Sequence, residues 1–165
     1  MQAIVCVSPD WGIGKDGGLL FHISADLRRF RSLTTGKTVI YGYKTLLTFP
    51  RAKPLPNRRN IILTRRDITI DGAEIAHSVA RSVELAGTDD AFVIGGASVY
   101  EQMLPFCSRV LVTHVDAQAE ADSFFPDLDR SPDWTLDWAG PVLSEGDCRF
   151  QYLDYVNRSE VHSHG

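Results

Sequence analysis

The acidic residue Asp26 stands in the first turn of a predicted helix, directly before Leu27 and close to Phe30. In a helix, residues 26, 27 and 30 lie near one face, so the carboxylate would have apolar neighbours. Apolar surroundings raise the pKa of a carboxyl group, and Asp26 could then exchange a proton near neutral pH. The alternative is an exposed acidic residue that the helix dipole favours. Spacing alone favours that alternative.

Two glycine positions, Gly42 and Gly95-Gly96, each follow an apolar strand and directly precede a short predicted helix. Glycine lets the backbone approach an anion closely, and the start of a helix offers free N–H groups. Two such units on neighbouring parallel strands would hold the two phosphates of one dinucleotide. The glycines could instead form only tight turns. Either unit alone supports both interpretations, and the pair favours binding.

A third glycine motif, Gly12-Ile-Gly14-Lys-Asp-Gly17, matches the GxGxxG spacing and also follows a strand. A dinucleotide fingerprint requires a helix that opens on the glycines, and no helix start is evident before Ser24. We therefore expect a mobile loop whose glycines serve turns.

A basic pair, Arg65-Arg66, follows Thr64 at the end of another apolar strand. A guanidinium suits a phosphate through its paired N–H donors. Binding to a 2′-phosphate would select NADP over NAD. The commoner fate of such a pair is a solvated basic loop, but its position past a strand end favours a role in binding.

The elements that must position these residues alternate between strands and helices, and then become strands alone. The Ser24 hydroxyl is expected to cap the first helix. This order predicts one α/β domain, a mostly parallel central sheet with helices on both faces and a C-terminal antiparallel hairpin. The domain spans 1–157, and a polar tail follows at 158–165. We expect strands at 2–8, 37–41, 60–64, 73–76, 91–94, 110–115, 134–138 and 150–156, and helices at 24–33, 43–49, 79–86 and 98–104.

The composition excludes several classes of protein. The net charge is −4 and no long basic run exists, which argues against a nucleic-acid partner. No apolar stretch reaches membrane-spanning length and no signal sequence is evident, so we expect a cytoplasmic protein without a membrane partner. The cysteines Cys6, Cys107 and Cys148 form no CxxC motif, so neither a metal site nor a disulfide framework is expected. Nothing indicates an interface stripe, and a monomer is expected.

Together these segments resemble the dihydrofolate reductase family, of the bacterial chromosomal type, from Ile4 to about Tyr155. The resemblance depends on the shared order and spacing of several short motifs. They are Gly12-Ile-Gly14 through Ala25-Asp26-Leu27, the Lys37–Gly42 strand with Lys44-Thr45, Pro54-Leu-Pro-Asn-Arg58-Arg-Asn60, Val93-Ile-Gly-Gly96 with Val99-Tyr100-Glu101-Gln102, and Thr113-His-Val-Asp-Ala117 ahead of Asp122 and Phe125-Pro126.

The resemblance implies NADPH-dependent reduction of 7,8-dihydrofolate to tetrahydrofolate, in support of one-carbon metabolism and thymidylate synthesis, with antifolates as inhibitors. Asp26 would be the catalytic residue that assists protonation of N5, with Thr113 bonded to its carboxylate. The implied substrate-binding residues are Ile4, Asp26, Leu27, Phe30, Arg58, Ile94, Tyr100 and Thr113. Those implied for NADPH are Ile13, Gly14, Leu19, Gly42, Tyr43, Lys44, Thr45, Leu63, Thr64, Arg65, Gly95, Gly96, Ala97, Ser98 and Val99.

Four positions depart from the family's usual residues. Leu19-Leu20-Phe21 replaces Leu-Pro-Trp, so an indole N–H donor is missing and His22 is a candidate substitute. Tyr43 stands where an Arg or Lys often contacts the cofactor phosphate, which weakens one contact and leaves the preference for NADP to Arg65, with Lys44 nearby. Ser24 stands where Pro is common.

Two other functions fit parts of the sequence. A pyrimidine reductase of riboflavin synthesis shares the architecture and the nucleotide site, but it should not need both Asp26 and Arg58. A non-catalytic nucleotide-binding module would bind NADPH without any dihydrofolate-dependent oxidation of it.

Overall fold

The structure, a computed structural model, describes residues 1–159. The helices are α1 (Ser24–Thr34), α2 (Tyr43–Leu46), α3 (Val79–Ala86) and α4 (Ala97–Met103), with 3₁₀ turns at Pro50–Ala52 and Leu104–Phe106. The strands are β1 (Gln2–Val7), β2 (Gly12–Lys15), β3 (Gly18–Leu19), β4 (Thr38–Gly42), β5 (Arg59–Leu63), β6 (Ala73–Ala76), β7 (Ala91–Gly95), β8 (Arg109–Val115), β9 (Ser123–Phe124), β10 (Trp134–Glu145) and β11 (Cys148–Asn157).

The main sheet has eight strands in the order β10-β11-β8-β1-β7-β4-β5-β6. Strand β1 runs parallel to β7 and β8, and β4 runs parallel to β5 and β7. At one edge, β11 pairs antiparallel with both β8 and β10. The predicted parallel sheet that ends in an antiparallel hairpin is therefore confirmed.

Side chains along the central strands alternate between the two faces of the sheet, and helices pack on both faces. On one face, Val5 belongs to the core that contains Met103 of α4 and packs against Val83 of α3. On the other face, Ile4 packs against Phe30 of α1. This arrangement confirms the predicted layers, and it brings α1 over the face of β1 that bears the even-numbered side chains.

The glycine-rich segment, for which we predicted a mobile loop, forms two short strands, and Gly17 lies in the turn between them as expected. Strands β2 and β3 pair with each other, and β2 also pairs with β9, which gives a small antiparallel sheet. A Cβ atom at Gly14 would lie 2.8 Å from Oγ of Ser123 and 2.9 Å from the carbonyl oxygen of Gly18. Gly14 thus serves close strand packing. The local sequence did not reveal this because one partner strand lies more than 100 residues away.

The start of α1 also differs from the prediction. Ser24 is the first helical residue, Ile23 occupies the N-cap position, and no side chain of α1 caps the helix. Instead, the carboxylate of Glu145, at the end of β10, accepts hydrogen bonds from the backbone N–H groups of Ser24 (2.8 Å) and Ala25 (3.0 Å). A negative charge at a helix N-terminus satisfies free N–H groups and complements the dipole. The predicted cap by Ser24 is therefore wrong.

The C-terminal hairpin is longer than predicted, since β10 extends past the predicted end at 138 to Glu145. Its pairing with β11 is irregular between Ala139 and Val142, around Pro141, which lacks an N–H group for the ladder. Most of the predicted tail at 158–165 lies outside the described residues. Within residues 1–159, no helix is both long enough and apolar enough to span a membrane.

Candidate active site

One large cleft of about 2190 Å³ runs along the carboxyl ends of β1, β4, β5 and β7. Sites for single drug-sized ligands are usually roughly 300–1,000 Å³, so two ligands can lie together in this one. Every substrate-site and cofactor-site residue named from the sequence lies on its wall. The fold therefore brings together residues that are far apart in the sequence, from Ile4 to Thr113.

Asp26 is half-buried on the cleft-facing side of α1. Its Oδ1 accepts a hydrogen bond of 2.6 Å from the hydroxyl of Thr113, a buried residue of β8. Burial raises the pKa of Asp26 above its usual range, while the Thr113 hydroxyl, the Arg29 charge and the Cys6 thiol oppose that rise. The net effect is a carboxyl group that holds its proton more strongly than one in water.

Apolar side chains surround this carboxyl group. Ile4 and Ile94 project from adjacent strands onto the side of the sheet that packs against Phe30. Leu27 stays 45% exposed, which leaves an apolar surface toward the open cleft. Tyr100 is buried and donates a 2.6 Å hydrogen bond to the carbonyl oxygen of Ile4. These groups form an apolar slot beside the carboxyl group of Asp26, and its shape suits a flat ring system.

Arg58 lies at another part of the cleft wall, with its guanidinium 5.9 Å from the ring of Phe30. Its Nε is buried and has no hydrogen-bond partner among the described residues. Burial, and then the nearby charge of Arg31, lower the pKa of Arg58. The amide of Asn60 donates to the carbonyl oxygens of Arg58 (3.0 Å) and Leu55 (2.9 Å), which holds this segment in place. The charges of Arg58 and Arg31, together with the unsatisfied N–H group, favour binding of an anionic group at this part of the cleft.

The two glycine units lie side by side, as the sequence predicted. Strands β4 and β7 are parallel neighbours, and Tyr41 is paired with Gly95. A Cβ atom at Gly42 would lie 3.1 Å from Cγ2 of Val99, and the Thr45 hydroxyl lies 3.6 Å from the Cβ positions of both Gly95 and Gly96. The Gly95-Gly96 peptide bond is cis. This cradle has room for a phosphate because the glycines lack side chains.

One contact between two residues of the cleft wall was not revealed by the sequence. The guanidinium of Arg66 lies over the ring of Tyr43, 4.8 Å from its centre. Arg65 and Arg66 both line the cleft and are exposed. Tyr43 therefore provides a surface for a cation at the place where the family often has one. An aromatic residue at 43 together with an Arg pair could have suggested this contact.

Ile13 and Leu19, on β2 and β3, cover part of the cleft, and Leu19 is 56% exposed. Phe21 does not reach the cleft wall. It packs instead against a cluster that contains Ile23 and Val115, while His22 lines the cleft. The ring that replaces the usual indole is therefore partly buried and packs next to the site.

The three cysteines are free, and Cys6 also lines the cleft. Sequence reasoning missed Cys6, although strand alternation places it on the same face as Ile4. Among residues 1–159, no group of three or more His, Cys, Asp or Glu side chains is arranged to hold a metal ion.

Comparisons with known proteins agree with this geometry. The family model described as dihydrofolate reductase matches residues 1–155. A dihydrofolate reductase of Neisseria meningitidis serogroup B is 41% identical over 146 residues, which cover 87% of this chain and 90% of that protein. One from Bacillus subtilis is 36% identical over 126 residues, covering 75% and 73%. The solved structure of dihydrofolate reductase from Enterococcus faecalis, complexed with NADP(H) and RAB-propyl, has a TM-score of 0.85 and 29% identity, covering 94% of this chain and 95% of that chain.

Proposed function

The chain belongs to the dihydrofolate reductase family, and on that premise we propose how its residues divide the work of the reaction. The reaction is the NADPH-dependent reduction of 7,8-dihydrofolate to 5,6,7,8-tetrahydrofolate. The observation that supports the assignment most directly is the Asp26–Thr113 pair inside a cleft that also contains the glycine cradle.

Asp26 holds the amino group of the pterin ring and assists delivery of a proton to N5. Its elevated pKa supports this role, because a general acid works best when its pKa is near the working pH. The Thr113 hydroxyl fixes the orientation of the carboxylate through its 2.6 Å hydrogen bond. Ile4, Ile94 and Phe30 exclude water from the ring and hold it flat.

The residues of the second half of the cleft fit NADPH. The closely packed Gly42 and the Gly95-Gly96 pair leave space for the pyrophosphate, and Thr45 offers a hydroxyl next to both. Arg65 and Arg66 suit the 2′-phosphate, which favours NADPH over NADH. When bound, NADPH supplies the hydride that the substrate receives at C6. Ile13, Gly14 and Leu19 cover the reacting ring and keep water away.

Arg58 binds a carboxylate of the substrate's glutamate moiety. Its buried Nε, which no described protein group satisfies, supports this role because a carboxylate would accept that hydrogen bond. Antifolates that share the flat ring compete for the same slot. We also propose a cytoplasmic monomer, and the location of the whole cleft within one chain supports the monomer.

The assay that tests the function follows NADPH absorbance in the presence and absence of dihydrofolate. We expect substrate-dependent oxidation of NADPH and much slower oxidation of NADH. Asp26→Asn should lower turnover at neutral pH by about 10²-fold or more, the usual scale for lost proton-transfer assistance. NADPH binding without oxidation would indicate a non-catalytic module, and unchanged turnover in Asp26→Asn would refute the role of Asp26.

A further inference from the structure

Three side chains form a row under the start of α1. Cys6 of β1 and Tyr152 of β11 are each paired in register with Thr113 of β8. Residues directly opposite each other on adjacent strands point to the same face, and adjacent strands are about 4.8 Å apart. Cys6 and Tyr152 also pack in one cluster next to the site. The row therefore runs across three strands, with Thr113 at its centre.

Helix α1 places two charged residues over this row. Asp26 contacts Thr113, and Arg29, three residues later, lies over the neighbouring position. The Cζ atom of Arg29 is 4.0 Å from the centre of the Tyr152 ring. Residues three apart in a helix lie on the same side of it. The ring thus holds the guanidinium on the β11 side of Thr113, whose hydroxyl bonds Asp26.

The charge of Arg29 is not used in a direct ion pair with any described residue. Its Nη1 atom is buried and has no hydrogen-bond partner among residues 1–159. The nearby carboxylate of Glu145 is bound to the N–H groups of Ser24 and Ala25 instead. Stacking on an aromatic ring holds a guanidinium in place without neutralising it. The positive charge of Arg29 therefore acts on the Asp26 carboxyl group.

We propose that Arg29, held over Tyr152, is a positioning residue whose fixed positive charge stabilises the carboxylate form of Asp26. This proposal rests on the proposed role of Asp26 in the reaction. Arg29 would oppose the rise in proton affinity that burial causes in the Asp26 carboxyl group. It would thereby set the highest pH at which that group still holds its proton. The residue does not touch the substrate site directly, so its effect is electrostatic.

The side chains of the row beneath Asp26 carry no charge near pH 7. Burial raises the pKa of the Cys6 thiol, and burial together with the charge of Asp26 raises that of the Tyr152 phenol, so both stay neutral around pH 7. The β8 neighbour is Thr113, which does not titrate.

The remaining titratable or charged groups around this layer are Cys148 beside Cys6, Arg28 toward Tyr152 and Glu145, and His22 on the cleft wall. They are unchanged in the variants below, so their effects cancel in the comparison.

The test is a titration of the Asp26 carboxyl group by ¹³C NMR, with Asp26→Asn used to assign the signal. In Arg29→Met, the midpoint should move to higher pH. Hydride transfer, measured in parallel, should be about three- to tenfold faster in the variant than in the parent on the alkaline limb, because loss of a nearby opposite charge raises the pKa of a carboxyl group. The two rates should converge at low pH. If Arg29 had only a structural role, its replacement would not raise the rate of hydride transfer.

Matched variants separate the possible causes. Tyr152→Phe keeps the ring and should leave the midpoint unchanged, whereas Tyr152→Leu removes the ring and should give a midpoint between those of the parent and Arg29→Met. Arg29→Gln provides the neutral side chain if Arg29→Met does not fold. Midpoints equal to the parent's in both neutral variants would overturn the proposal, and a parental midpoint in Tyr152→Leu would overturn the role of the ring.

The two titrations separate the role of Arg29 from the catalytic role of Asp26. If the carboxyl midpoint moves and the pH dependence of the rate does not, Arg29 acts on Asp26 as inferred, and the role of Asp26 in catalysis is wrong. If neither moves while Asp26→Asn still lowers turnover, the catalytic role stands and the inference about Arg29 is wrong.

Discussion

The hydroxyl of Thr113 donates a hydrogen bond of 2.6 Å to Oδ1 of Asp26, across a separation of 87 residues in the chain. The contact joins the first turn of α1 to the middle of the sheet. It orients the carboxyl group toward the cleft, and it partly offsets the effect of burial on its proton affinity.

Replacement of Thr113 tests the value of this contact. Thr113→Val should lower kcat/KM for dihydrofolate by about tenfold or more, since a hydrogen bond to a charged group contributes about 1.5–3 kcal/mol. Because the hydroxyl lowers the pKa of Asp26, the alkaline limb of the pH–rate profile should also move to higher pH. Thr113→Ser keeps the hydroxyl and should resemble the parent. A Val variant with parental kinetics and pH profile would contradict the assignment.

Asp26 should reduce the stability of the fold at neutral pH. Its pKa in the folded state is raised above the unfolded value of 3.8, so the folded state binds the proton more strongly. Stability therefore decreases as pH rises from the unfolded pKa through the folded one. Asp26→Asn removes this cost, and thermal unfolding at pH 7 should occur about 2–4 °C higher for each ~1 kcal/mol gained.

The gain in Asp26→Asn should disappear at pH values below 3.8, where both states of the parent are protonated. Asp71→Asn serves as the control because Asp71 is exposed on the surface. A melting temperature for Asp26→Asn below that of the parent at pH 7 would contradict the prediction.

Arg66 should contribute to the choice between NADPH and NADH, although the sequence pointed to Arg65. Arg66→Ala should raise KM for NADPH by about tenfold or more and leave KM for NADH nearly unchanged, as expected for a lost charge-assisted contact to the 2′-phosphate. Tyr43→Leu removes the ring under the guanidinium and should give a smaller change of the same kind. Arg65→Ala is the matched comparison. Equal changes for both cofactors in Arg66→Ala would contradict the role.

Glu145 should stabilise α1 at neutral pH. Hydrogen bonds from the N–H groups of Ser24 and Ala25 lower the pKa of this carboxyl group below its ordinary value. A lowered folded-state pKa stabilises the protein above the unfolded pKa, and the contribution is lost as pH falls through the folded one. Glu145→Gln should therefore melt below the parent at pH 7, and the gap should narrow on acidification.

Glu120→Gln is the control for Glu145, since Glu120 forms an exposed ion pair of 3.1 Å with Lys15 of β2. Such surface pairs contribute little to stability. The same loss of stability in both variants, or a gap for Glu145→Gln that does not depend on pH, would refute the capping role.

Local signals in the sequence were sufficient for much of the fold. Helix α3 and strand β6 have the predicted bounds because their periodicity is local. Ser78 caps α3 through a hydrogen bond from the N–H of Arg81 only three residues away. The two glycine units also follow from short-range order, since a glycine between strand and helix is visible in the chain itself. The role of Asp26 was indicated only by resemblance to a family.

The tertiary structure alone decided the contacts that tune the site. Strand β2 pairs with β9 from beyond residue 120, the α1 cap comes from Glu145, and the environment of Asp26 combines strands β1, β8 and β11 with helix α1. Such contacts depend on which strands become neighbours in the sheet, and no residue near Asp26 in the chain encodes that order. The sequence by itself determined which side chains were available for proton transfer and phosphate binding. Burial and charge around them were set only when distant segments packed together.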